Sequence, residues 1–321
     1  MQDVEKLLIE RAEALLSEGK VQRVVGWKKG LFDEDVTPYV FSSAEEMKKD
    51  FVFNKYCAAN LSKYLVKITK EIEIAKSTTR MNNTMAKQRD PNAEDKPIPQ
   101  QVVLVFLKPA DTYSFTQLLK ENRITRDDVY AIGVPCQDTL DGGSVCANCA
   151  NKKPVSCDEL ICVEAEAAPA DPARMEQVAK LESRTADERY EFWQKEFSRC
   201  IRCNACRNVC PACTCEKCVF DNNALYTSQK VAETSFEESL FHIIRAWHVA
   251  GRCTDCGECS RVCPQGIPLH LLNRKFIKDI NEIYGDYQAG SDLETRPPML
   301  TFKEEDPETS IISDRVEGGN E

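Results

Sequence analysis

Histidine is scarce in this 321-residue chain, with only His242, His248 and His270 present. The first two fall on or near an apolar helical stretch, which reads as packed or site-lining histidine and not as ligand or acid–base histidine. No Gly-x-Gly-x-x-Gly loop and no Walker loop occurs, so no nucleotide site announces itself. No apolar run approaches the eighteen or so residues of a membrane span, and no charged-then-apolar leader is present, so neither a membrane span nor a secreted protein is expected. Basic excess is missing too. Lys and Arg number 42 against 52 Asp and Glu, a net charge of -10, which disfavours nucleic acid because phosphate binding needs a concentrated basic face.

Cysteine is abundant instead, with 17 residues. Without a leader, and in metal-ligand spacings, these read as ligands in a reducing cytoplasm and not as a disulfide framework. Two copies of Cys-x-x-Cys-x-x-Cys-x-x-x-Cys-Pro stand out, at Cys200, Cys203, Cys206, Cys210 and at Cys253, Cys256, Cys259, Cys263. In such a run three cysteines hold one 4Fe-4S cube and the fourth, followed by Pro211 or Pro264, serves the neighbouring cube. The first cube is expected on Cys200, Cys203, Cys206 and Cys263, and the second on Cys253, Cys256, Cys259 and Cys210. Zinc also uses paired Cys-x-x-Cys, but has no need of the third cysteine or the terminal Cys-Pro. Arg199, Arg202 and Arg207, among the first cysteines, read equally as counter-charge to the cluster or as a solvated face.

Along the chain, Val4, Leu7, Leu8, Ala12, Leu15 and Leu16 recur at helical spacing ahead of a capping Gly19. Strand-like runs follow at Val21 to Trp27 and Pro38 to Phe41, then a helix from about Ala58 to Lys70, then an exposed loop over residues 81–100. Gln101 to Leu107, Ser114 to Glu121 and Val129 to Val134 read as strand, helix and strand, a parallel α/β unit with functional residues at the carboxyl ends of its strands, where Cys136 stands. Glu164 to Asp171 suits a linker. Thr185 with Glu188 forms a capping box for a helix with Tyr190, Trp193 and Phe197 on one stripe, leading into Cys200. Between the cysteine motifs, Ser235 with Glu238 marks a second box, before an amphipathic helix with Leu240, Ile243, Ile244 and Trp247 that stops at Gly251. The expected fold class is α+β, with an α/β domain over 1–165, a mostly helical two-cluster ferredoxin domain over 166–290, and an acidic arm over 291–321 that lies on a partner or is disordered.

Cys136, Cys146 and Cys149, with Cys157 and Cys162 close behind, form a second concentration of thiols. Spacing alone does not choose a fourth ligand among Cys157, Cys162 and the distant Cys57, and zinc on Cys146, Cys149, Cys157 and Cys162 satisfies the same arithmetic. Cys213, Cys215 and Cys218 remain as packing thiols or a separate metal site.

The segments ITRDDVYAIGVPC, NKYCAANLSKYL and CANCANKKP resemble the amino-terminal domain of beta subunits of deazaflavin-dependent hydrogenases and dehydrogenases. RCIRCNACRNVCPACTCEKC and FHIIRAWHVAGRCTDCGECSRVCPQGIPL resemble the dicluster ferredoxin part of proteins found with heterodisulfide-reductase-like electron-bifurcating complexes. Together these likenesses cover most of residues 20 to 290. They imply a third 4Fe-4S cluster on Cys57, Cys136, Cys146 and Cys149. One departure is plain: Pro109, Ala110 and Asp111 stand where such relatives often carry Gly-Cys-Asp. The adjacent Cys-Cys-Gly of disulfide-reducing subunits is absent, and the place of the flavin-binding region of the beta subunits is taken by the ferredoxin part.

The expectation is a non-catalytic electron-transfer subunit without FAD, passing single electrons through two or three 4Fe-4S clusters. Its expected partners are a heterodisulfide-reductase-like flavin subunit, a catalytic dehydrogenase, hydrogenase or reductase subunit, or both. The alternatives are an FAD- or deazaflavin-dependent subunit that splits a hydride itself, and a zinc-stabilised interaction module.

Overall fold

The computed structural model describes residues 4–136, 149, 153–163, 172–221, 236–301, 303, 304 and 306. Its first half is built on a mixed five-stranded sheet in the order β2-β1-β3-β4-β5, with β1 Arg23–Lys29, β2 Val36–Phe41, β3 Val103–Leu107, β4 Val129–Gly133 and β5 Glu159–Leu160. β1 and β2 pair antiparallel, with Val24 opposite Phe41. β1, β3, β4 and β5 run parallel, with Val24 beside Leu104 and Val105 beside Ala131. Every residue of β3 is buried, as a central parallel strand covered on both faces requires. The expected strand–helix–strand unit is present: α4, Pro109–Lys120, connects β3 to β4.

The helix α1, Val4–Ser17, buries Leu8, Ala12 and Leu15 against this core and ends at Gly19, whose φ of 69° is the left-handed conformation of a capping glycine. It also packs on α2, Ala44–Asp50. The helix expected from about Ala58 to Lys70 is α3, Ser62–Arg89, and runs far into the segment expected to be a loop. Nothing between Lys70 and Arg89 breaks a helix; the breaker is Pro91, and the chain leaves the helix at Asp90. The Asn83 side chain then bonds the backbone of Lys96, tying the returning chain to the helix.

The second half is helical: α5 Glu176–Glu182, α6 Ala186–Ser198, α7 Ala205–Asn208, α8 Phe236–Trp247, α9 Glu258–Arg261 and α10 Leu269–Tyr284. The Thr185–Glu188 capping box of α6 is formed in both directions. The expected linker, residues 164–171, and Ser235 of the second box lie outside the described residues. The carboxyl-terminal arm differs from expectation over its described part. Gly290, at φ 74°, lies directly against the Tyr113 carbonyl, Lys120 holds the Thr295 carbonyl and the Asp292 carboxylate, and Met299 packs by Gly251. This stretch therefore packs on its own chain. No described helix is long and apolar enough to cross a membrane.

Candidate metal centres

Each cysteine motif folds as the same backbone. Arg202 and Asn204 in the first copy, Asp255 and Gly257 in the second, have φ of 55°, 60°, 59° and 72°. One left-handed residue before the second cysteine and one after it curl the chain around a point. A one-turn helix follows, α7 or α9, with Arg207 N bonded to the Asn204 carbonyl and Ser260 N to the Gly257 carbonyl, both within 3.1 Å. The repeat extends past the proline: Cys213 N meets the Cys210 carbonyl at 3.1 Å, and Gly266 N meets the Cys263 carbonyl at 3.0 Å.

The structure brings Cys200, Cys203, Cys206 and Cys263 together around one small cavity, three thiols from one motif and the last from the other. Cys210, Cys253 and Cys256 line a second cavity, and the Cys259 thiol is close enough to feel the charges of both Cys210 and Cys206. Cys206 lies in α7 and lines the first cavity, while Cys210, two residues past its end, lines the second; Cys259 and Cys263 stand likewise in and just past α9. Backbone amides point at sulfur: Arg202 N lies 3.4 Å from Cys200 Sγ. The Asn273 amide nitrogen is 3.5 Å from Cys259 Sγ. Such donors suit sulfur that carries negative charge. Burial raises the Cys253 and Cys256 thiols well above the ordinary range and the Cys259 thiol to about 11, so iron must displace their protons on binding. Thiols of both motifs on one cavity, with nitrogen donors on sulfur, are a donor set whose chemistry suits iron–sulfur ligation.

The two halves meet at the second cavity. Ser114 and Gln117 of α4, with Glu121 just past its end, form part of its wall beside Arg252 and Thr254. Asn60 donates to Ser114 Oγ at 2.9 Å, Ser114 Oγ is 2.9 Å from Thr254 Oγ1, and Arg252 grips Glu121.

The amino-terminal set is described only in part. Cys57 is buried in the α/β core; its thiol contacts the Val52 carbonyl and Asn54, and burial pushes it up to about 11. Its loop is clamped by Lys108, which donates to the carbonyls of Cys57, Ala58 and Ala59. Cys136 is exposed beyond β4 and Cys149 is half-buried. Cys146 lies outside the described residues. The Cys157 thiol packs against Gly133, where a Cβ would come within 3.0 Å of it, and Cys162 is exposed. Cys213 is half-buried near Lys63, Cys215 is exposed, and Cys218 bonds Arg207.

Arg199, Arg202 and Arg207 each have a carboxylate partner, Glu196, Glu238 and Asp221, and Arg202 also acts electrostatically on the Cys200 thiol. Arg245 of α8 is a further charged group turned toward the cysteines, beside Lys63 and Arg252. The sequence suggested that Ile243 and Trp247 of this helix face inward, but they are 43% and 58% exposed, while Glu238, Phe241, His242, Arg245 and Ala246 are buried. His242 lines the first cavity, stacks on Phe197 at 4.4 Å, and has no hydrogen-bond partner at either ring nitrogen. His270 is bonded to Ser260. The sequence signal for Arg245 is a basic residue one turn after a histidine on a helix leading into a cysteine motif.

Residues 196–267 match the 4Fe-4S dicluster domain, and all eight cysteines of the two motifs lie inside that match. This part of the chain is an iron–sulfur domain. The chain is 30% identical over 127 residues to the F420-dependent formate dehydrogenase subunit beta of Methanocaldococcus jannaschii, a stretch making up 39% of this chain and 32% of that protein. It is 29% identical over 110 residues to the F420-dependent formate dehydrogenase 1 subunit beta of Methanococcus maripaludis, 34% of this chain and 27% of that one. The chain thus spans about a third of the length of the curated relatives it matches.

Proposed function

We propose that this chain is an iron–sulfur electron-transfer subunit of a multi-subunit oxidoreductase, working in the cytoplasm. The observation that carries this reading is the convergence of Cys200, Cys203 and Cys206 with Cys263 on one cavity, beside a second cavity lined by Cys253, Cys256 and Cys210. In this reading Cys200, Cys203, Cys206 and Cys263 hold one cube, and Cys253, Cys256, Cys259 and Cys210 the other. The cubes supply one-electron carriers of low potential. The chain's residues bury them, donate hydrogen bonds to sulfur and balance their charge. A third cube on Cys57, Cys136, Cys146 and Cys149 belongs to the proposal. The domain division at about residue 165 is proposed with it.

The partner proposed first is a catalytic dehydrogenase subunit, because the matched relatives are formate dehydrogenase beta subunits. A heterodisulfide-reductase-like flavin subunit is proposed at the other end of the path. The second cavity, walled by α4, suits exchange with whatever the α/β half meets.

Single-cysteine variants test the crossed ligation. Cys200→Ala and Cys256→Ala each serve as a reference lacking one cube, read by electron paramagnetic resonance of the reduced protein. Cys263→Ala is expected to reproduce the Cys200→Ala spectrum. If it matches Cys256→Ala, each motif holds its own cube and the crossed assignment is wrong.

A further inference from the structure

A buried cation without a carboxylate partner is costly, because desolvation is not repaid by a paired charge. Arg245 of α8 is such a cation. It is 4% exposed, its Nε has no hydrogen-bond partner, and Nη1 makes one long bond of 3.4 Å to the Cys206 carbonyl. Among the described residues carboxylates pair with Arg174, Arg202, Arg207, Arg252 and Arg274, but none pairs with Arg245. A guanidinium does not shed its charge in a protein, so the balance must come from what it faces. Cys206 belongs to the first quartet, Cys210 and Cys259 to the second, and Arg245 lies within electrostatic reach of all three thiols. One turn earlier, His242 is held neutral by burial and offers no compensating charge.

We propose that Arg245 is the shared counter-charge of the two cube sites, raising the reduction potential of both. This rests on the dicluster reading above. A reduced cube carries one more negative charge than an oxidised one, so a fixed buried cation favours the reduced form at each site. Sharing one cation also ties the two potentials together: its removal moves both in the same direction, whereas a group belonging to one cube moves one.

The test is a potentiometric titration, followed by electron paramagnetic resonance, of anaerobically purified full-length protein with Arg245→Gln and Arg245→Lys beside the wild type, and with iron counted in each. Arg245→Gln with wild-type iron is expected to shift the reduction equilibrium of both clusters at least tenfold toward the oxidised form, about 59 mV for a one-electron couple. Arg245→Lys is expected to stay within threefold of the wild type. Full iron with unchanged potentials in Arg245→Gln overturns the proposal, as does a shift confined to one cluster. If Arg245→Gln loses its iron, Arg245→Lys decides: retained iron supports a requirement for charge, and equal loss shows that the shape of the side chain is needed instead. A wild-type protein lacking the two-cluster signal removes the underlying reading and this proposal with it. A normal wild type with an unaffected variant removes only this one.

Discussion

Left-handed backbone at Arg202, Asn204 and Asp255 costs about 1–3 kcal/mol at each non-glycine residue, so something must hold it there. For Asp255 the holder is visible: its carboxylate is buried between Arg274, at 2.9 Å, and Arg174, at 2.7 Å. Arg274 is itself wholly buried, so removing the carboxylate leaves an uncompensated charge in the interior. Asp255→Ala is therefore expected to destabilise the protein by about 3–5 kcal/mol, read by chemical denaturation of the anaerobic protein; a change below 1 kcal/mol would mean that the triad is not the holder. Asp111 provides a second test. Desolvation raises its carboxyl to about 6, against the favourable charge of Lys108. A folded value above the ordinary 3.8 means that the native state binds the proton more tightly. Its contribution to stability therefore grows as pH falls from about 6 toward 4 and is lost as pH rises through 6. Asp111→Asn should flatten that segment of the stability–pH curve, and an unaltered curve would show that Lys108 keeps the group ionised.

Among the elements, α6 was readable in full: Thr185 and Glu188 announced its start, and both hydrogen bonds of the box are made. Thr185→Ala should lower stability by about 0.5–2 kcal/mol, with Thr185→Ser recovering most of it; equal stability of all three forms would mean the α6 start is held by tertiary packing alone. The start of α3 was readable as well, but its length was not, because Asn, Lys and Arg at residues 81–89 are compatible with either loop or helix and only Pro91 compels a stop. In α8 the apolar stripe was read correctly as a stripe and assigned to the wrong side. Amphipathic reasoning assumes that the core is oil. Here the neighbours of the buried face are cysteine sites, which accept His242 and Arg245, while Ile243 and Trp247 face outward. The approach of Cys263 to Cys200, Cys203 and Cys206 was anticipated from ligand spacing, which is local and specific. The meeting of Ser114 with Thr254, 140 residues apart, leaves no such local trace.

Across the whole molecule the α/β half does more than flank the ferredoxin half. It supplies a wall of the second cavity through α4, and the segment after Gly290 returns to the same helix, so sheet, helix and cysteine motifs share one junction. An electron leaving the second site toward the α/β half therefore passes α4, whereas the first site is bordered by α8 and the start of α10. This two-ended arrangement is what a relay requires. The most direct test is the iron, acid-labile sulfide and zinc content of anaerobically purified protein. The account predicts iron and sulfide in equal amounts, about eight of each for the two cubes alone and about twelve if the amino-terminal cysteines hold a third. Stoichiometric zinc with no labile sulfide would contradict it.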